Sequence, residues 1–188
     1  MEFNREFVDK MIWRLMIIAL IGFLLGIFVQ EAEARYPGDF LLGNKKAGAV
    51  YVQIMRNTGE KPPHDPFKLA ASFEKVAKKY GLDPLLLSAM AAVESGYFVG
   101  AINSRTADYG IMQINARNIK HYKFSKERLL TDVPYSIEAG AIVLSWFKAK
   151  YAHKEKNWFC RYNVGVRKLE GALGRICKSY ASKVRSKL

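Results

Sequence analysis

The side chains best placed to do chemistry in this 188-residue chain lie between Glu94 and Asn115, in two short runs joined by a loop. The first run ends an apolar segment from Pro84 to Val93 and reads Glu94-Ser95-Gly96-Tyr97. The second reads Asp108-Tyr109-Gly110-Ile111-Met112-Gln113-Ile114-Asn115. From Leu85 to Val93 every residue but Ser88 is apolar, and Glu94 is the first ionisable residue after Asp83. A carboxyl at that place is disfavoured as an anion twice, by desolvation against an apolar helix and by the partial negative charge of the helix C-terminus. Both effects raise its pKa. A glutamic acid that stays protonated near neutral pH suits general acid catalysis, because it arrives with a proton and can release it. A lone glutamate at a helix end is ordinarily just solvated, so the surrounding residues decide between the two readings. Asp108 is a second carboxyl in the same region.

These residues need helices to hold them. Asp83 before Pro84 reads as an N-cap followed by proline at the first helical position, where a missing N–H costs nothing. A helix without a wet face is expected to be buried on most sides. Upstream, Asp65-Pro66 opens another helix, with Leu69, Ala70, Phe73, Val76, Ala77 and Tyr80 on one face and Gly81 at its C-terminal end. The two form an αα-hairpin with Glu94 at its far end. A loop with glycines at 96 and 100 and the polar run Asn103-Ser104-Arg105-Thr106 follows, long enough to be functional. Strand signals are sparse, apart from a short hairpin around Ala107 to Asn115. Leu130 to Pro134 reads as a turn and helix start, followed by a stripe of Ile137, Gly140, Ala141, Leu144, Phe147 and Tyr151. Tyr162-Asn163-Val164-Gly165 comes next, and a basic helix containing Tyr180 to Val184 closes the chain. The expected fold class is mainly α, with at most a short β-hairpin.

Glu94-Ser95-Gly96-Tyr97, Gly110-Ile111-Met112-Gln113-Ile114 and Tyr162-Asn163-Val164-Gly165 together resemble, in order and approximate spacing, the three-part signature of the soluble lytic transglycosylase (SLT) family. The resemblance covers about Phe67 to Val184. The run from Asp108 to Asn115 is also similar to a segment of c-type lysozymes, which share the general fold. The Asp-Tyr before Gly110 looks most like the small specialised transglycosylases that accompany secretion, conjugation and pilus machines. The resemblance implies a lysozyme-like (goose-type/SLT) helical domain acting on peptidoglycan glycan strands, with Glu94 catalytic. It also implies that Tyr162 and Asn163 line the site, that Met112 and Gln113 form another wall, and that Ser104 matches a serine of the groove loop. Cys160-Arg161 departs from the family, where the positions before the tyrosine are usually small and apolar.

Two outcomes are open for such a site. A retaining lysozyme uses a second carboxylate about 5 Å from the acid to stabilise or trap the cation, and Asp108 could play that part. A lytic transglycosylase instead lets its glutamate, now a base, take the proton of the C6 hydroxyl of the same muramic acid, which closes on C1 as a 1,6-anhydro sugar. The Tyr162-Asn163-Val164-Gly165 element favours the transglycosylase, since the lysozyme resemblance does not explain it. A non-catalytic peptidoglycan-binding assembly factor would carry the same motifs. A cationic membrane-active protein would explain the charge but not Glu94, Gln113 or Asn163.

The rest of the chain bears on location and partners. An uncharged run from Leu15 to Val29 would reach only about 22 Å as a helix, short of a ~30 Å hydrocarbon core. Ala32-Glu33-Ala34 follows as a small-x-small cleavage pattern. Residues 1–34 are therefore expected to be a signal peptide, or else an uncleaved membrane anchor. Residues 35–65, broken by Gly38, Gly43, Gly48 and Gly59 and ending at Pro62-Pro63, are expected to be an extended arm or linker with a short helix near Ala47 to Arg56. Residues 66–188 are expected to be the catalytic domain. Without residues 1–34 the chain keeps 27 Lys and Arg against 12 Asp and Glu, which suits an anionic partner or simply a solvated basic surface. The lysines are scattered and no nucleic-acid-binding motif focuses them, so the cell wall fits better than nucleic acid. The expected place is the periplasm of a Gram-negative bacterium, reached by export, with a membrane contacted only through the N-terminal segment and a secretion, conjugation or pilus apparatus as a candidate partner. Cys160 and Cys177, the only cysteines, are a disulfide candidate in an exported domain, the alternative being two buried thiols. His64, His121 and His153 stand apart and no metal-ligand spacing exists. No metal or cofactor is expected.

Overall fold

The computed structural model describes residues 44–188. The run from Leu15 to Val29, the cleavage pattern at Ala34 and the first part of the expected arm lie outside them. Helix α1 spans Lys45–Thr58, α2 Pro66–Lys79 and α3 Pro84–Ser95. Three two-residue strands follow, β1 Ile102–Asn103, β2 Asp108–Tyr109 and β3 Ile114–Asn115. Then come α4 Ala116–Tyr122, α5 Lys126–Thr131, α6 Val133–Tyr151, a 3-10 turn at Trp158–Cys160, α7 Arg161–Val164 and α8 Gly171–Arg185. The domain is mainly helical, with the lysozyme-like architecture expected of it.

Side chains cap the helices as the sequence predicts. The Asp65 carboxylate accepts from the amides of Phe67 and Lys68, the Asp83 carboxylate from Leu85, and the Asp132 carboxylate from Tyr135. Each satisfies amides that have no carbonyl partner in the first turn. Gly81, at φ +61°, lets the amides of Gly81 and Leu82 turn back to the carbonyls of Lys78 and Ala77. That closes α2 and launches α3 after a four-residue link, 80–83. The middle of α3, Leu87 to Ala91, is fully enclosed, as expected of a helix with no polar face.

In the expected arm the short helix near Ala47 to Arg56 is present and a little longer, running Lys45–Thr58, and what differs is that it is not extended away from the domain. From residue 44 on, the segment is a 14-residue helix whose Ala47, Val50 and Ile54 are fully buried, at the i, i+3, i+7 spacing of a core-facing stripe. Tyr51 stacks on Phe67 of α2 with ring centroids 4.5 Å apart. Asn57 donates to the Tyr97 hydroxyl at 3.2 Å and to the Lys187 carbonyl at 2.9 Å. The part of residues 35–65 that is described thus packs into the domain. Gly48 sits inside α1 without breaking it, because the buried stripe outweighs the ~1 kcal/mol that glycine costs a helix. Gly59, at φ +58°, ends it.

The strand content also differs in form. The expected hairpin is a three-stranded antiparallel sheet in the order β1-β2-β3. It pairs Ile102 with Tyr109, Asn103 with Asp108, Asp108 with Asn115 and Tyr109 with Ile114. Strands of two residues carry no alternation, so a sequence pattern could not have revealed β1.

Cys160 and Cys177 are joined by a disulfide, with Cα atoms 5.1 Å apart. It fastens the 3-10 turn before α7 to the middle of α8. For a 17-residue separation, reduction is expected to lower the unfolding free energy by about 3 kcal/mol. Denaturant unfolding with and without reductant checks this, as a lower midpoint at unchanged slope.

Candidate active site

Glu94 stands on the last turn of α3, where Gly96 at φ +61° caps the helix. Ser95 beside it donates to the Ile111 carbonyl at 2.8 Å and so ties the helix end to the Gly110–Gln113 run. Around the Glu94 carboxyl is a cavity of about 260 Å³. The sheet and its turns contribute Thr106, Asp108, Gln113 and Asn115 to its lining, α4 contributes Asn118, and α7 contributes Tyr162 and Asn163. A cleft of about 1140 Å³ shares Thr106, Asn115, Asn118, Tyr162 and Asn163 with it. A smaller recess of about 290 Å³, walled by Ile176, Ser179, Tyr180 and Lys183 of α8, shares Glu94 and Asn163. Asn163 lines all three spaces.

The carboxyl of Glu94 is pushed up from its ordinary 4.5 to about 7. Desolvation by burial is the main cause; the Tyr180 hydroxyl, which donates to Oε1 at 2.6 Å, pulls the other way, and the negative charge of Asp108 adds a further push upward. Near neutral pH the group therefore exists in both forms. Burial also pushes the Tyr162 and Tyr180 hydroxyls up, reinforced by the nearby Glu94 carboxylate, so both act as neutral donors. Tyr162 donates to the Met112 carbonyl at 2.8 Å, which joins α7 to the Gly110–Gln113 run.

The residues singled out in the sequence fare differently. Glu94, Asp108, Gln113, Tyr162 and Asn163 meet around one cavity. Asp108 is held on both oxygens, by Asn115 Nδ2 on Oδ1 at 2.7 Å and by the Thr106 hydroxyl on Oδ2. Gln113, at φ +48°, donates its amide to the carbonyls of Gly110 at 2.9 Å and Ala101 at 3.2 Å, so it fixes the turn as well as facing the cavity. Met112 is a correction: its side chain is fully buried against Gly140, where a Cβ would collide with it. Only the Met112 backbone serves the site. Ser104 is another: it sits in the exposed turn between β1 and β2, and Thr106 lines the cavity in its place.

Tyr180, Asn115 and Asn118 were missed. For Tyr180 a signal existed, because a bridge between Cys160 and Cys177 would bring the residue one turn beyond Cys177 close to Tyr162. Removing its hydroxyl with Tyr180→Phe takes away a bond that favours the carboxylate, so the pKa of Glu94 rises further. The alkaline limb of a pH–rate profile for peptidoglycan cleavage is then expected to move to higher pH, without the global unfolding that a packing defect would cause.

Arg161, one of the two departures from the family pattern, is 5% exposed. Its Nε and Nη2 donate to the Glu155 carboxylate at 2.8 and 2.6 Å, and Nη1 reaches the carbonyls of Gly165 and Arg167. The guanidinium lies 4.3 Å over the Tyr151 ring. The other departure, Cys160, is taken up by the disulfide. Neither intrudes on the cavity. Among the described residues no group of three or more His, Cys, Asp or Glu could hold a metal ion, and no helix is long and apolar enough to cross a membrane.

A helical lysozyme-like domain with a half-buried, protonatable glutamic acid at the end of its buried helix, beside a large cleft, has the architecture of a glycan-cleaving domain. Residues 71–181 match the family described as Transglycosylase SLT domain, and the chain belongs to that family. It is similar to the protein named Protein IpgF in Shigella flexneri, with 31% identity over 105 residues that cover 52% of this chain and 67% of that protein. The Protein IpgF of Shigella sonnei matches to the same extent.

Proposed function

We propose that this chain is a peptidoglycan lytic transglycosylase that cleaves the β-1,4 bond between N-acetylmuramic acid and N-acetylglucosamine and leaves 1,6-anhydromuramoyl ends. The observation that carries the reading is the Glu94 carboxyl, raised to about 7 and lining a cavity whose other carboxyl, among the described residues, is that of Asp108.

In the first step Glu94, protonated, gives its proton to the glycosidic oxygen, and the C1–O bond breaks with its electron pair going to the leaving N-acetylglucosamine. The muramic C1 becomes oxocarbenium-like. In the second step the Glu94 carboxylate takes the proton of the C6 hydroxyl, and O6 bonds to C1. The proton count on Glu94 is restored and no water is consumed. A pKa near the working pH serves both steps, since one residue must act as acid and then as base. The nucleophile belongs to the sugar itself, so the closure has the advantage of an intramolecular reaction over attack by water.

Asp108 supports this reading over a lysozyme-type muramidase. Each of its oxygens accepts a hydrogen bond, from Thr106 of the β1–β2 turn and from Asn115 of β3. In that position it ties the turn to β3 and adds a small upward push to the Glu94 pKa, a structural role that the transglycosylase reading explains without a second catalytic carboxylate. Tyr162, Asn163 and Gln113 then orient the sugar.

We further propose that the chain acts in the periplasm of a Gram-negative bacterium and opens the wall locally for an envelope-spanning machine such as a secretion, conjugation or pilus apparatus. Export by residues 1–34 is part of that proposal, and the strongly basic composition supports it, since a basic surface suits an anionic wall. The catalytic reading is tested by incubating the chain with purified peptidoglycan and identifying the soluble muropeptides. Products without a reducing end, absent with Glu94→Gln, support it. Reducing products would make the chain a hydrolase, and bound peptidoglycan without release would make it a binding factor.

A further inference from the structure

We infer that the Cys160–Cys177 disulfide is a positioning element of the candidate active site: it holds α8 against the start of α7 so that the Tyr180 hydroxyl stays bonded to the Glu94 carboxyl. This rests on the proposed role of Glu94 and goes beyond the stability that the bridge gives the fold.

Helix α8 is held unevenly along its length. Between Gly171 and Ile176 no residue is buried, Leu173 alone packs partly against the core, and no side chain caps the helix start. Cys177 is the first buried residue of the helix, and Tyr180, Ala181 and Val184 follow. Tyr180 lies three residues beyond Cys177 and therefore on the same helix face. At the far end Arg56 and Asn57 of α1 donate to the Lys187 carbonyl at 3.2 and 2.9 Å. The disulfide is thus the main fastening of α8 on the N-terminal side of Tyr180, whose hydroxyl reaches Glu94 Oε1 at 2.6 Å.

Helix α7, on the other side of the bridge, has ties of its own. Arg161 donates to Glu155 and to the carbonyls of Gly165 and Arg167, and Tyr162 donates to the Met112 carbonyl. Opening the bridge therefore frees α8 more than α7, and the loss falls on the bond from Tyr180 to Glu94 rather than on the wall made by Tyr162 and Asn163. Tyr180 from α8, Tyr162 from α7 and Asp108 from β2 face Glu94, and Lys183 of α8 shares a recess with it. Burial keeps the Glu94 pKa high and the Tyr180 hydroxyl pulls it back. Withdrawing that donor disfavours the carboxylate, so Glu94 holds its proton to higher pH. Withdrawing Lys183 would act in the same direction, and a chain without the Tyr180 hydroxyl separates the two. Closing the bridge takes two protons and two electrons from the two thiols, which a disulfide-bearing oxidant accepts. Full activity is accordingly reached in an oxidising compartment. Once formed, the bond is shielded, with Cys160 0% and Cys177 4% exposed.

The test follows the Glu94 carboxyl itself, by carbon NMR titration of the full chain labelled at its glutamates, oxidised and after reduction with dithiothreitol. The Glu94 signal is identified by its absence in Glu94→Gln, and a release assay on peptidoglycan runs alongside. On reduction the titration midpoint is expected to rise, as it does in the oxidised Tyr180→Phe chain, and reducing the Tyr180→Phe chain is expected to raise it no further. A fall in kcat of about tenfold, with KM changed by less than about twofold, accompanies the loss of this contact. Cys160→Ala combined with Cys177→Ala, which needs no reductant, is expected to repeat both results. An unchanged midpoint in the folded reduced chain, or an equal rise on reducing the Tyr180→Phe chain, overturns the inference. Unfolding of both the reduced chain and the double alanine variant also overturns it, since the bridge would then serve folding alone. If the oxidised chain releases no product while the midpoints behave as expected, the catalytic reading fails and the positioning role stands.

Discussion

Glu94→Gln is expected to lower kcat/KM for peptidoglycan by about 10³-fold or more, since positioned acid–base groups contribute typically 10²–10⁴ and this residue performs both proton transfers. Glutamine keeps the shape and most of the packing but has no proton to give. The same substitution is expected to change stability in the opposite direction. The Glu94 pKa is about 7 folded against an ordinary 4.5, so the folded state holds the proton more tightly than the unfolded state does. Its contribution to stability is complete below about 4.5 and is lost as pH rises through about 7. Above that, an enclosed carboxylate destabilises the fold. Glu94→Gln behaves like the protonated form at every pH, so its melting temperature is expected to exceed that of the unmodified chain at pH 8 and to match it near pH 4. Thermal unfolding at the two pH values, alongside a release assay, checks both halves. A variant that lost activity but also lost stability at pH 8 would mean that Glu94 is a structural residue.

Gly110→Ala is expected to be among the most damaging single substitutions in the domain. Gly110 has φ +82°, and a Cβ there would collide with the Leu129 carbonyl oxygen and the Ser136 hydroxyl. The positive φ costs an L-residue about 1–2 kcal/mol, and overpacking against a rigid backbone adds about 1–3 kcal/mol, for a total of about 3 kcal/mol. The loss reaches the site as well. Ser136 Oγ accepts from the Ile111 amide at 3.1 Å, and Gly110 itself receives the Gln113 side chain. Displacing Gly110 therefore loosens the turn that holds Gln113 in the cavity and the Met112 carbonyl that anchors Tyr162. The check is a denaturant midpoint together with kcat/KM, and both are expected to fall.

What could be read from the sequence was what depends on short-range chemistry. Asp65-Pro66 and Asp83-Pro84 place two helix starts because caps and proline act within a single turn. The unbroken apolar run before Glu94 announces burial of its carboxyl, and desolvation is indeed the main cause of the raised pKa. What could not be read depends on which way a side chain turns after the backbone leaves a helix. Met112 and Gln113 are neighbours, yet the positive φ of Gln113 turns one into the core against Gly140 and leaves the other at the cavity. Ser104 and Thr106 are separated by one residue, and the strand pairing of Asn103 with Asp108 leaves the first in solvent. A short helix near Ala47 to Arg56 is legible in the sequence, but its packing is not, because the stripe is interrupted by Gly48, Gln53 and Arg56, and only the partner faces on α2 and α3 show that Ala47, Val50 and Ile54 bury it in the domain. Tyr180 needed the tertiary closure of α8 on α3, which no local pattern encodes.

If Glu94 serves as acid and then as base, the glycan is cleaved without water. Digesting peptidoglycan in water labelled with heavy oxygen and reading the masses of the released muropeptides tests it most directly. The expected products are anhydro muropeptides, one water lighter than reducing muropeptides and free of label. Reducing products that carry one labelled oxygen at C1 would contradict it, and would instead make Asp108 the partner of Glu94 in a hydrolase.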